Sequence, residues 1–231
     1  MKPIFRYDIK QNTEAWDKIR LGKITASTAS CLLVGKDDEL GAGALTYARE
    51  KAAEIIKGSS VKPFFSDEET ERGHDLEPLA RAKYEETYFV EVKNVGFVEK
   101  GEYVGCSPDG VVTDGVVTNG HYGTEFKCFR EDNHLNYIDL FDKLEKKEIV
   151  LYSDDRKIKS FLDKKKWAQI QFSLWVTKFD FWDLGFYNPY GFGKKELVCQ
   201  RIYPDKKTIK IIEKKTDLLI KEIERLINLV K

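Results

Sequence analysis

Between Phe89 and Phe129 the chain is a succession of short apolar runs, FVEVKNVGFVEK, YVGCS, GVVTDGVV and TEFKCF, separated by DG and NG pairs. Such runs read as strands joined by tight turns. Strands this short cannot bury their own faces, so the segments on either side must cover them, and both sides have helical periodicity. Upstream, Asn12 or Thr13 can cap a short helix through Trp16, Ile19 and Arg20 that closes at Gly22. ITASTASCLLVG predicts a second short helix ending at Gly35, and residues 44–57 predict a third with Gly58 at its stop. Ser66 and Glu69 make a capping box for a helix over 67–88, in which Pro78 must either start a new helix or kink the existing one.

Downstream, a charge-dense stretch over 130–160 precedes a helix in FLDKKKWAQIQFSLWVTK and strands in FDFWDLGFY and ELVCQRIY. The last 25 residues predict an amphipathic helix, with Ile212, Leu219, Ile223, Leu226 and Val230 at three- and four-residue spacing. Its stripe reads as core or subunit packing rather than a membrane-binding face. The expected fold is α/β, a mixed central sheet flanked by helices. No repeat, low-complexity tract or Pro/Ser-rich linker divides it, so one domain over 1–231 is expected.

Composition narrows the function classes. A chain of 231 residues buries roughly 70% of its unfolded surface and needs no disulfide or metal staple. Thirty-nine basic residues against 39 acidic ones argue against a uniformly basic nucleic-acid binder but leave a local basic groove open. The charge is segregated: residues 67–77 carry six acids and one Arg, and residues 194–231 carry eleven Lys/Arg against six acids. Solvated helix faces are the ordinary reading of such runs. Cys31, Cys106, Cys128 and Cys199 lie far apart without CxxC spacing, which suggests neither a zinc knuckle nor a redox pair. With no signal-peptide core and no apolar run of spanning length, the chain is expected to be soluble and cytoplasmic with reduced thiols.

The chemistry concentrates in CSPDGVV and TEFKC. Asp109 sits at a Pro-Gly turn that opens a strand, and Glu125 and Lys127 follow with one residue between them. Positions i and i+2 of a strand share a face, so the carboxylate and the ammonium project together. If the two strands are hairpin neighbours, Asp109 comes within reach of Glu125. Two converging carboxylates need a cation between them, and hard oxygen ligands suit Mg²⁺ or Mn²⁺. A structural ion-pair cluster would use the same three residue types, so the D…E-x-K spacing alone is weak.

SPDG followed by EFKC resembles the PD-(D/E)XK nuclease core, and more narrowly the phage lambda exonuclease (YqaJ-type viral recombinase) family. WDKIRLGKITAS at 16–27 resembles that family's N-terminal signature, RGHDLEPLARAKYE at 72–85 its G-x-x-x-E helix, and WAQIQFSLWVTKFDFWDLGFYNP at 167–189 its glutamine-bearing helix and following strand. The resemblance implies a restriction-endonuclease-like core with Asp109, Glu125 and the supporting Glu77 as metal ligands. It further implies Lys127 as the catalytic lysine, Gln169 near the nucleophile or scissile phosphate, Ser107 as the serine of SPDG, and Arg20 and Ser27 as holders of a terminal 5′-phosphate. Taken singly, Glu77 could be a solvated acid, Gln169 a helix-face amide, Ser107 a turn-former, Ser27 a helix cap and Arg20 the partner of Asp17 or Glu14.

The implied activity is Mg²⁺-dependent hydrolysis of linear double-stranded DNA from the 5′ end, generating 3′ single-stranded overhangs for recombination. A ring-shaped homotrimer and a phage-type single-strand annealing protein as partner are implied with it. The rival readings are a PD-(D/E)XK endonuclease and a non-catalytic DNA-binding protein on the same fold. Two stretches depart from the family pattern: extra residues around DGVVTNGHYG, and the long segment 129–160, expected as helix or loop over a DNA channel. His121 and His134 are expected as surface or loop residues rather than ligands. A single C-terminal cysteine, Cys199, excludes the iron–sulfur members of the wider superfamily.

Overall fold

A computed structural model describes residues 2–61, 68–113 and 121–230, with the side chains of 68–70 outside the description. The expected capping pair Ser66/Glu69 and the hairpin tip at 114–120 therefore lie outside the described residues. The chain begins with β1 (Ile4–Arg6) and α1 (Glu14–Arg20), whose first turn is capped by the Thr13 side chain accepting from the Trp16 N–H. β2 (Ile24–Thr25) leads into the expected short helix, which takes the 3-10 form over Ala26–Leu33 and ends just before Gly35. The run ASTASCLL is rich in Ser, Thr and Cys, which compete with α-helical bonding and favour short tight turns. α2 (Ala42–Lys57) stops at Gly58, which takes the left-handed conformation at φ 73°.

α3 (Glu68–Tyr88) runs through Pro78 as one helix, which excludes a new start there. The strands β3 (Phe97–Glu99), β4 (Val104–Cys106), β5 (Gly110–Val112) and β6 (Tyr122–Cys128) follow. The charge-dense segment resolves into α4 (Glu131–Glu145) and an irregular connection. α5 (Lys164–Thr177), β7 (Phe181–Tyr187), β8 (Leu197–Ile202) and α6 (Lys206–Asn228) complete the chain.

Two mixed four-stranded sheets result, in the orders β1-β3-β4-β2 and β5-β6-β7-β8. β5 and β6 are antiparallel neighbours, with Gly110 opposite Thr124, and β6 runs parallel to β7. The chain crosses from the first sheet to the second over Ser107, Pro108 and Asp109, between β4 and β5. Even-numbered residues of β6 (Tyr122, Phe126, Cys128) pack in one cluster with Leu76, Ala80 and Tyr84, one stripe of α3. The odd-numbered face is left for Glu125 and Lys127.

α6 buries Ile212, Leu219 and Ile223 completely and packs against α2 and the 3-10 turn, so this part of the C-terminal stripe is internal packing; Leu226 is partly buried, and Val230, past the helix end, is exposed. In the 129–160 region, Phe129, Tyr137, Phe141 and Phe161 gather around Phe186. His134 departs from expectation: it is fully buried on α4, with a ring nitrogen 2.8 Å from the Lys195 carbonyl and its ring against Phe192. The packing of α4 against the Phe192–Lys195 segment turns it inward. His121 is exposed, as expected.

The turn between α1 and β2 is fixed from α2. Gly22, at φ +70°, donates its N–H to Glu54 (3.0 Å), while Tyr47 Oη accepts from the Thr25 N–H (3.1 Å). Glu54 is buried and also accepts from Lys51 Nζ at 2.8 Å. Glu54→Ala should destabilise the fold by about 2–4 kcal/mol, because it strands the Gly22 N–H and leaves the buried Lys51 ammonium with only the longer contact to Glu50 at 3.8 Å. Denaturant titration measures this, and a loss below about 1 kcal/mol would mean that water solvates both groups.

Candidate active site

The register that pairs Gly110 with Thr124 sets Asp109 beside Glu125, and the Asp109 N–H donates to the Thr124 carbonyl at 3.2 Å. Asp109 Oδ2 accepts the Phe126 N–H at 2.6 Å, which fixes its carboxylate over β6. Two residues along the same face, Lys127 Nζ donates to Glu125 Oε1 at 2.6 Å. Gln169, from α5, donates its Nε2 to the same oxygen, also at 2.6 Å. α5 is anchored for this by Asp163, whose side chain caps it, and by near-complete burial from Ile170 to Thr177.

Glu77 enters from α3, one residue past the buried Leu76, and pairs with Arg81 one turn later at 3.3 Å. Arg81 also donates to the main-chain oxygen of Asp109 at 2.5 Å. Burial pushes the Asp109 carboxyl well above its ordinary range, and the Glu125 and Glu77 charges push it further. Glu77 is raised by burial and by Glu125, against the opposing pull of Arg81. At Lys127 burial favours the neutral amine, but Glu125, Asp109 and Glu77 outweigh it and raise its pKa. The site is therefore a cluster of one buried and two half-buried acids whose charges Lys127 and Arg81 only partly meet.

These residues open onto a cleft of about 710 Å³ that is lined by Glu77, Asp109, Glu125 and Gln169 and also by Ser107, Arg20 and Ser27. The structure thus brings all the sequence-selected residues into one locality, with Lys127 reaching it through Glu125. Among the described residues no three carboxylate, His or Cys side chains stand already converged around one point as a metal cage. The donor set nevertheless fits a hard divalent cation: three carboxylates line one cleft, and at Asp109 and Glu77 burial and neighbouring acids both disfavour the bare charge.

Arg20 does not pair with a carboxylate among the described residues; its guanidinium lies over the Trp16 ring, 3.8 Å from the centroid. Burial pulls its pKa below the ordinary value, with Tyr47, Asp17 and Glu54 acting in the other direction. Ser27 does not cap the 3-10 helix; its Oγ lies 3.4 Å from Thr25 Oγ1.

Three residues were not singled out from sequence. Trp16 donates its Nε1–H towards both the Gly96 carbonyl (2.9 Å) and Ser107 Oγ (3.1 Å). Gln11 Nε2 donates to the Val95 and Pro108 carbonyls at 3.0 and 2.7 Å. Arg81 holds Asp109 as described. The available signals were spacings of four: Trp16 to Arg20, and Glu77 to Arg81. Residues 130–163 contribute nothing to the cleft lining.

The chain is similar over 94% of its length, at 25% identity and a TM-score of 0.72, to the crystal structure of an alkaline exonuclease (LHK-Exo) from Laribacter hongkongensis, of which it covers 96%. The same protein in complex with dAMP matches with a TM-score of 0.73 at 25% identity, over 95% of this chain and 96% of that one. A phage-related exonuclease from Haemophilus somnus 129PT shares the fold, with a TM-score of 0.63 at 16% identity, over 90% of this chain and 96% of the other. No curated protein matches significantly. The expected restriction-endonuclease-like PD-(D/E)XK core is the fold of these neighbours. The model of the YqaJ-like viral recombinase domain matches residues 15–180, the span that holds Arg20, Ser27, Glu77, Ser107, Asp109, Glu125, Lys127 and Gln169, and the chain belongs to that family.

Proposed function

We propose that this chain, as a single domain over 1–231, is a metal-dependent exonuclease that hydrolyses phosphodiester bonds of linear double-stranded DNA. It works from the 5′ end and leaves 3′ single-stranded overhangs for recombination. The observation that carries the reading is one cleft lined both by the acid cluster and by Arg20 and Ser27. An acid cluster alone suits any phosphodiesterase. A half-buried guanidinium without a carboxylate partner among the described residues, lining the same cleft as the Thr25 and Ser27 hydroxyls, suits a terminal phosphate. The likeness to an alkaline exonuclease supports the same class.

Asp109 and Glu125, supported by Glu77, would hold Mg²⁺ or Mn²⁺, the divalent type that nucleases of this family generally use. When bound, such an ion supplies Lewis acidity and lowers the pKa of water. The chain's own residues do the rest. Lys127 stays protonated beside Glu125 and offers N–H bonds to charge developing on a phosphate oxygen. Gln169 keeps Glu125 in one rotamer and has its amide at the reacting centre. Ser107 and the Asp109 turn are held by Trp16 and Gln11, so the carboxylate is preorganised.

A ring-shaped homotrimer and a phage-type single-strand annealing partner belong to the same proposal, as does work inside the cell, where DNA ends are. Among the described residues no helix is long and apolar enough to cross a membrane.

The test uses linear duplex with a 5′-phosphate, the same duplex with a 5′-hydroxyl, and closed circular duplex, each with Mg²⁺ and then EDTA. The expected result is hydrolysis of linear DNA only, lost in EDTA and much faster with the 5′-phosphate. Arg20→Ala should slow the phosphorylated substrate alone. Cleavage of closed circles would turn the reading to an endonuclease. DNA binding without hydrolysis would turn it to a non-catalytic protein, and equal rates on the two linear ends would remove Arg20 and Ser27 from end recognition.

A further inference from the structure

We propose that Arg81 is a positioning residue of this site, fixing Glu77 and the backbone of Asp109 at the spacing that a divalent cation requires. The inference rests on the nuclease reading above and deepens it. Arg81 is the one side chain among the described residues that hydrogen-bonds two of the three candidate ligands. One terminal nitrogen donates to the Asp109 main-chain oxygen at 2.5 Å and to Glu77 Oε1 at 3.3 Å. The choice of acceptor at Asp109 is informative. A guanidinium on the carboxylate would neutralise it and compete with a cation. A guanidinium on the carbonyl holds the turn and leaves the side-chain oxygens to their own work.

Charge compensation divides accordingly. Lys127 and Gln169 serve Glu125 from β6 and α5, while Arg81 serves Glu77 and Asp109 from α3. Arg81 thereby ties the helix to the chain crossing between the two sheets, 28 residues away in sequence. Its Nε–H is buried with no hydrogen-bond partner among the described residues, a cost to folding that offsets part of what the two bonds contribute. A lysine could supply the charge, but its stem is shorter and its ammonium more strongly hydrated, so it does not place a donor nitrogen where Arg81 places the one that meets both carboxylate and carbonyl.

The experiment measures Mn²⁺ binding to the DNA-free full chain by isothermal calorimetry, alongside affinity for a duplex end in EDTA and single-turnover cleavage. Arg81→Met should weaken Mn²⁺ binding and slow cleavage by about 10–100-fold, the range for groups that orient metal ligands, with end affinity unchanged. Arg81→Lys should fall short of the unmodified protein in both, and it decides the matter if the Met variant does not fold. Mn²⁺ affinity equal to the unmodified protein in the folded variants overturns the proposal, and so does a loss of end affinity with metal binding intact, which would make Arg81 a phosphate contact. If the unmodified chain itself binds no Mn²⁺, the nuclease reading fails and this proposal with it; the other outcomes overturn Arg81 alone.

Discussion

Asp109→Asn is expected to lower hydrolysis of linear duplex by more than about 10³-fold, beyond the usual cost of one preorganised contact, while raising the melting temperature of the metal-free protein. The two effects have one cause. Burial, with Glu125 and Glu77 nearby, raises the Asp109 carboxyl well above its unfolded value. A group raised in this way favours folding fully below its unfolded pKa, and that contribution is lost as pH climbs through the raised value. As pH climbs from the unfolded value through the raised one, the Asp109 carboxyl therefore weighs increasingly against folding. Asparagine removes the charge and can still accept the Phe126 N–H that Oδ2 takes at 2.6 Å.

The gain in melting temperature should accordingly be larger at alkaline pH than at pH 5. Calorimetric melts across that range, beside turnover on linear duplex in Mg²⁺, measure both effects. Glu125→Gln should lose activity to a similar degree. A variant at either position with near-normal turnover would remove that residue from the site.

The second large effect is at Lys127. Lys127→Ala should slow single-turnover cleavage of bound DNA by about 10²-fold or more and change DNA affinity far less. The ammonium's pKa is raised because three acids outweigh its burial, so it stays charged through the neutral range and gives no titration limb of its own there. Its bond to Glu125 Oε1 aims it at the reacting centre rather than along a DNA backbone. Rapid-quench kinetics with DNA prebound in EDTA and started with Mg²⁺ separate the two steps. Collapsed binding with a normal rate of cleavage once bound would make the lysine a phosphate anchor.

The parts of this molecule that were readable from sequence are those governed by short periods. The Thr13 cap, the Gly58 stop and the buried stripe of Ile212, Leu219 and Ile223 each follow from spacing along one element. The shared face of Glu125 and Lys127 follows from strand alternation and needs no tertiary knowledge. Burial of His134 depended on which face of α4 meets Phe192 and Lys195, about sixty residues on, and no local pattern carries that. The 3-10 form of Ala26–Leu33 was a matter of competing side-chain hydroxyls, to which hydrophobic periodicity is blind. Arg81 was hidden for another reason: its partner at Asp109 is a backbone oxygen, which every residue type possesses, so no residue pattern can announce it.

Trp16 joins two places that chemistry must keep in step. The Arg20 guanidinium rests on the face of its ring, while the ring's N–H points to Gly96 and Ser107 at the start of the Asp109 turn. An indole has no internal rotation, so the span from its face to its edge nitrogen is set by aromatic bonding rather than by a choice among rotamers. A chain of flexible side chains bridging the same gap would let the span drift by an ångström or more with each torsion. Here the ring acts as a gauge block: while the guanidinium rests on its face and its N–H stays on Gly96 and Ser107, the offset between guanidinium and turn is set by the ring.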